Sequence, residues 1–194
     1  MKTKVFFLST IFTVISLITV AQNEKRFAFE ISIGPSFATQ KLAGADLNTG
    51  LGFEGDFQYR FMEHVSVYAG WGGNKFSAKE SFAGNDMDFE ETGYIIGLEF
   101  KHPVGNSGIS LFGRGGALYN HIEIENEEGD ILHDTGHGWG WQAAAGADIP
   151  LGKNWSLTPG VKFNSLNRDL EISDINYDLQ QNYISARIGF IKRF

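Results

Sequence analysis

The chain contains no cysteine, only four prolines and three methionines in 194 residues. Without thiols it can form neither a disulfide nor a thiol-linked lipid anchor, so an exported form must take its stability from another source. Beyond residue 20 no run is apolar and long enough for a membrane helix, which needs roughly 20 such residues. A basic surface is also lacking. The formal charge is -7, which argues against nucleic acid as a partner. What the chain has in abundance is glycine: 24 residues scattered through its periodic segments would weaken helices at nearly every turn.

Lys2 and Lys4 precede the apolar run Val5 to Val20, and Thr19-Val20-Ala21 supplies small residues at a cleavage point. The expectation is a signal peptide over residues 1–22, removed on export, and a single domain over 23–194. At 16 residues the run is short for a retained spanning anchor. Removing Lys2 and Lys4 from the 16 basic residues leaves 14 against 23 acidic ones, a formal charge of -9.

The remaining sequence alternates. Leu51, Phe53, Gly55, Phe57, Tyr59 and Phe61 fall on one face of a strand, and Gly52, Glu54, Asp56, Gln58 and Arg60 on the other. Phe27, Phe29, Ile31 and Ile33 repeat the pattern, as do Val65, Val67 and Trp71, then Tyr94, Ile96, Leu98 and Phe100. Ile109 to Tyr119, Trp139 to Ile149, Trp155 to Phe163 and Ile184 to Phe194 complete eight segments. An apolar face and a charged face repeated behind an export signal predict an all-β, eight-stranded antiparallel up-and-down transmembrane barrel. Val65-Ser66-Val67, Ile109-Ser110-Leu111 and Trp155-Ser156-Leu157 mark strands restarting from one side, 44 and 46 residues apart, a hairpin period. Short turns at Met62 to His64, His102 to Ser107 and Pro150 to Asn154 are expected in the periplasm. Polar stretches at 39–48, 76–90, 121–136 and 166–178 are expected as extracellular loops, with both termini on the periplasmic side.

In hydrocarbon a mid-depth Arg or Lys on the outer face costs about 2–4 kcal/mol, and the predicted outer face avoids it. Its aromatics gather at strand ends: Phe27, Phe61, Phe100, Trp155 and Phe194 below, Trp71, Tyr94, Tyr119, Trp139 and Trp141 above, as two interfacial girdles. The inner face would carry a charge network of Glu54, Asp56, Arg114, Lys162 and Arg187, with Glu30, Arg60, Glu99, Lys101, Asp148 and Arg193 lower down. In so narrow a lumen these charges must pair with one another or with trapped water, which favours a structural plug over a gate. A soluble lipocalin-like barrel would place the same charges outside.

The stretch Gly138-Trp139-Gly140-Trp141-Gln142-Ala143-Ala144-Ala145-Gly146-Ala147-Asp148, followed by Gly152-Lys153-Asn154-Trp155-Ser156-Leu157, resembles the penultimate hairpin of small OmpA/OmpX-type outer-membrane barrels. The ending Ile188 to Phe194, with Phe190 and Phe194, is similar to the family's terminal aromatic signal. The resemblance implies a bacterial outer-membrane location, recognition by the barrel-insertion machinery, contact with lipid and lipopolysaccharide, and roles such as surface adhesion or envelope integrity toward an unidentified surface ligand. Lys192 departs from the pattern at an outward position, close enough to the periplasmic end to snorkel. No peptidoglycan-binding domain is expected after the barrel, so the resemblance is not expected to extend to cell-wall tethering. A closed barrel has no free edge, and a monomer is expected.

Some eight-stranded barrels modify lipids, and such chemistry needs a nucleophile beside a base such as histidine. His64 and Ser66 would point inward beside a periplasmic turn, with no acid at useful spacing. His133, Asp134 and His137 stand near Glu123, Glu125, Glu127, Glu128 and Asp130, but their spacing matches neither the zinc helix motif nor a calcium loop. They read as a solvated acidic loop. No catalytic residue, metal site or cofactor is assigned. The expected function is a plugged structural and surface-interaction barrel; the alternatives are a narrow passive pore and a lipid A-modifying enzyme.

Overall fold

A computed structural model describes residues 25–194, so the expected signal peptide lies outside the described residues. Nine strands follow one another: β1 (Phe27–Ala38), β2 (Gly50–Arg60), β3 (Val65–Ser81), β4 (Gly84–Pro103), β5 (Ser110–Glu125), β6 (Ile131–Asp134), β7 (Gly138–Gly152), β8 (Trp155–Ile172) and β9 (Ile175–Arg193). All pairings are antiparallel between chain neighbours, except that β5 also pairs with β7, and β9 returns to β1. The ring therefore has eight strands, with β6 a short addition to the outer end of β5. Closure through Ala28↔Arg193 to Ala38↔Tyr183 satisfies the backbone of both terminal strands, which a span through lipid requires.

Side chains alternate as the pattern predicts. Phe53, Phe57, Ile96, Leu98, Ile188 and Phe190 are exposed on the outer wall, while Glu54, Asp56, Glu99, Lys162 and Arg187 are buried in the lumen. This is the inversion of a water-soluble barrel. Glycines make the crowded interior fit: a Cβ on Gly97 would lie 2.6 Å from the Tyr68 hydroxyl.

The periplasmic connections are short. Lys153 and Asn154 both have positive φ, 50° and 73°, as a two-residue type I′ hairpin turn requires. The extracellular side differs from expectation. Three of the four polar stretches continue the strands: β3 and β4 run to a turn at Phe82-Ala83, β8 and β9 to one at Ser173-Asp174, and β5 passes to β6. Ser173 and Asp174 again have positive φ, 51° and 64°. The first of the four stretches instead forms an irregular connection over residues 39–49, with one Leu42↔Ala45 bridge.

The reason is a second reversal of polarity along the same strands. On β4 the outward set changes from Tyr94, Ile96 and Leu98 to Asp88 and Glu90, while the inward set changes from Glu99 to Phe89. On β5 outward Tyr119 gives way to His121, Glu123 and Glu125, and Ile122 and Ile124 turn inward. Above the membrane the solvent is water, so the hairpins bury an apolar core of Leu42, Ala78, Phe89, Ile122, Leu170 and Leu179.

Candidate functional site

The lumen is arranged in layers. At the lower level Arg114, projecting from β5, contacts Glu30, lies 2.7 Å from Glu99 and 3.5 Å from Asp56, and sits over the rings of Tyr68 and Phe112. Glu30 also accepts from Thr158 at 2.5 Å and Gln58 at 3.0 Å. Lys101 reaches Asp148 at 2.7 Å and Glu99 at 3.2 Å, and Arg193 contacts Asp148. Lys162, in register with Arg114 through Ala144, pairs with Glu54. Four of the five sequence-predicted central residues thus take part in ion pairs. Arg187 does not follow them: its Nη2 donates to Asn74 Oδ1 at 2.8 Å, and its Nε and Nη1 have no hydrogen-bond partner among the described residues.

A further polar layer carries residues the sequence reading missed. Tyr183 donates to Glu91 at 2.5 Å, Asn74 Nδ2 to the Tyr183 oxygen at 2.6 Å, and Asn120 contacts Glu91. Glu91 belongs to the same inward series as Glu99, eight residues away. That periodicity could have located it, had the stretch not been assigned to a loop boundary. Arg168 was also hidden in an expected loop. Its guanidinium donates to the carbonyls of Asn120, Gly138, Trp139 and Asn167 at 2.5–3.0 Å, tying β8 to the point where β7 begins.

Between the layers little space is left. A cavity of about 30 Å³ is bordered by Glu30, Glu54, Arg114, Lys162 and Arg187, and one of about 90 Å³ opens at the periplasmic mouth beside Arg60 and Arg193. The first is of the order of a single water. A hollow of about 520 Å³ is an open groove beside Leu51, Phe53, Lys75 and Glu90, where the β3–β4 hairpin outruns β2.

On the outer wall, register places Trp71, Tyr94, Tyr119 and Trp139 in one row across β3, β4, β5 and β7, with Trp141 two residues below Trp139. At the opposite end Phe27 and Phe194 exchange backbone hydrogen bonds at 3.3 and 2.9 Å, the Phe194 ring lies 6.4 Å from that of Phe57, tilted by 43°, and Phe61, Phe100 and Trp155 are exposed. Phe190 is exposed four residues before Phe194. The Lys192 ammonium lies 4.8 Å over the Trp155 ring.

The fold and this distribution identify the chain's kind. Over residues 10–191 it matches the family described as Outer membrane protein beta-barrel domain. It belongs to that family. Among solved structures it is similar to Neisserial surface protein A, with a TM-score of 0.61 at 12% identity over 87% of this chain and 97% of that one. It is also similar to the outer membrane protein OprG from Pseudomonas aeruginosa, with a TM-score of 0.53 at 16% identity over 87% and 95%. At these identities the likeness is one of fold. A search of the curated proteins finds no match.

The extracellular histidines are redistributed relative to the sequence reading. His133 pairs in register with Ile124, while His121 Nδ1 lies 3.0 Å from Asp134 Oδ1 and 3.9 Å from Glu123 Oε1. His137 stacks on His121, ring centroids 4.4 Å apart and 13° from parallel. Burial opposes ionisation of Asp134, but the Gly136 N–H and His121 outweigh it and hold its carboxyl below the ordinary range. Lys75 stands among Glu125 at 2.5 Å, Asp88 at 3.2 Å and Glu90 at 3.9 Å. Near the periplasmic end His64 Nδ1 lies 2.9 Å from the Lys101 carbonyl, and its Nε2 is 3.9 Å from Glu63. The imidazole is thereby engaged with backbone and an exposed carboxylate.

Proposed function

We propose that the protein is a bacterial outer-membrane barrel, exported behind a cleaved leader and closed to passage, that acts through its extracellular β-extension in surface adhesion or envelope integrity. The observation that carries this reading is the apolar core of Leu42, Phe89, Ile122, Ile124, Leu170 and Leu179 stacked above the ion-paired lumen. Water and ions would have to cross both a charge lattice and a dry cap. The membrane-spanning charges Glu54, Asp56, Arg114 and Lys162 act as a structural plug, with paired charges making up for lost hydration. The aromatic rows are its interfacial girdles, Phe190 and Phe194 its signal to the insertion machinery, and outer-membrane lipid and lipopolysaccharide its surroundings. It works as a monomer and without enzymatic activity.

Planar-bilayer recording tests the closure. The purified chain is expected to give no steady conductance, and steady ohmic openings would favour a narrow passive pore. Deleting the β3–β4 and β8–β9 tips one at a time, followed by cell-binding and detergent-sensitivity assays, tests the outward role. Identical lipid A profiles with and without the protein are expected, and a changed profile would restore the enzyme reading.

A further inference from the structure

The outer face of the extracellular sheet carries an arrangement that the barrel does not need. Directly above the Trp71–Tyr94–Tyr119–Trp139 row, register aligns Thr92 with His121, and above them Lys75, Glu90, Glu123 and Asp134. One ligand atom from each of His121, Glu123 and Asp134 lies within 4.8 Å of the others, with His121 Nδ1 3.9 Å from Glu123 Oε1 and 3.0 Å from Asp134 Oδ1. Ligands around one zinc ion, each about 2.0–2.2 Å from it, stand roughly 3.3 Å apart, so a small contraction of these side chains would enclose an ion. We propose that His121, Glu123 and Asp134 bind a divalent metal ion of the zinc class at the base of the β5–β6 hairpin, with His137 turning in as fourth ligand.

Three observations beyond proximity support the site. First, His121 Nε2 lies 2.9 Å from Thr92 Oγ1. With the Nδ1 lone pair on a metal, Nε2–H donates to that hydroxyl, the outer-shell hydrogen bond that fixes the tautomer of metal-binding histidines. Secondly, Asp134 is held in place, because its Oδ1 accepts from the Gly136 N–H at 2.8 Å and the neighbouring Thr135 hydroxyl accepts from the Ile122 N–H at 2.9 Å. Thirdly, the Lys75 ammonium is shared by Asp88, Glu90 and Glu125, while Glu123 and Asp134 follow Glu90 in register with no ammonium paired to them among the described residues. A cation offsets that excess.

The ligand set selects the metal. Calcium and magnesium take oxygen ligands, whereas two imidazoles with two carboxylates suit zinc, cobalt, nickel or copper. Binding would pin β6 to the barrel at the level of the lipid headgroups. Metal binding on this outer face is independent of whether the lumen conducts.

The test uses the untagged chain refolded in detergent and stripped with chelator, titrated with Co²⁺ and with Zn²⁺. One ion per chain is expected, with the intense visible bands of tetrahedral cobalt, displaced by zinc and insensitive to excess Ca²⁺. Affinity should fall as pH drops, because protons compete with the ion for its ligands. His121→Ala should weaken binding by about tenfold or more, and Thr92→Val, which acts by positioning His121, by about tenfold; Glu128→Gln should leave it unchanged. If His121→Ala fails to fold, as judged by heat-modifiable gel mobility, Asp134→Asn and His137→Ala give the same reading. Absence of saturable binding, or binding unaltered in Asp134→Asn and His137→Ala, overturns the proposal.

Discussion

The Tyr183 hydroxyl, on β9, donates to Glu91 Oε2, on β4, at 2.5 Å across the barrel interior. The two residues are 92 positions apart in sequence. Their contact lies just beneath the apolar core of the hairpins, where the interior passes from ionic to hydrophobic. Both side chains are buried, so neither can exchange the contact for bulk water.

Tyr183→Phe removes that donor and keeps the ring that packs against Phe76 at 5.3 Å. Leaving a buried acceptor short of a partner costs about 1–3 kcal/mol. Urea unfolding of the refolded barrel should show this loss, and Asn164→Ala, which removes only a donor to the Tyr183 oxygen, should cost less.

Arg114→Met leaves Glu30, Glu99 and Asp56 facing one another without their shared cation. Breaking a buried pair in this way costs about 3–5 kcal/mol. The expected result is a large fall in the unfolding midpoint, partly reversed in the double variant Arg114→Met with Glu99→Gln. An unchanged midpoint would mean that the lumen charges are solvated.

The polarity of the wall can be tested at two heights. Ile96 faces outward at mid-depth and Ile122 inward in the extracellular core. Ile96→Arg should cost about 2–4 kcal/mol when measured in lipid vesicles and far less in a soluble setting. Ile122→Ala should cost about 2–5 kcal/mol in either, because its burial is independent of lipid.

Asp134 has its folded pKa lowered, with burial outweighed by the Gly136 N–H and His121. Its stabilising contribution is therefore fully present above the ordinary aspartate value near 3.9 and is lost as pH falls through the lower folded value. Amide exchange at Gly136 and Ile122 should accelerate below about pH 4 while amides of β1 and β9 stay protected. Asp134→Asn should remove most of that pH dependence.

Arg168 donates to the carbonyls of Asn120, Gly138 and Trp139. Arg168→Ala should therefore raise amide exchange around Gly138 to Gly140 before it alters the rest of the barrel. Lys at this position should restore little, since one ammonium cannot reproduce the planar fork.

The wall was readable from the chain alone because strand periodicity is two: Phe53 and Phe57 must face away from Glu54 and Asp56 whatever the partner strands are. With the export-type N-terminus and eight such segments, alternation was enough to set the fold class and its inverted polarity. The upper hairpins escaped the same reading. There, Asp88 and Glu90 alternate with Phe89, and Glu123 and Glu125 with Ile122 and Ile124, as they would in any water-exposed sheet. The polar outward residues suggested loops only while the apolar inward ones had no partners in view.

Tertiary structure decided what local pattern cannot carry. Alternation says that Glu91, Arg114 and Tyr183 point inward, but register and closure determine that Arg114 meets Glu30, Glu99 and Asp56 and that Tyr183 meets Glu91. The same holds for His121, which stands 13 residues from Asp134 and reaches it only because β6 folds back on β5. Side-chain direction is a property of one strand, whereas which charges and imidazoles meet depends on distances between strands that only ring closure sets.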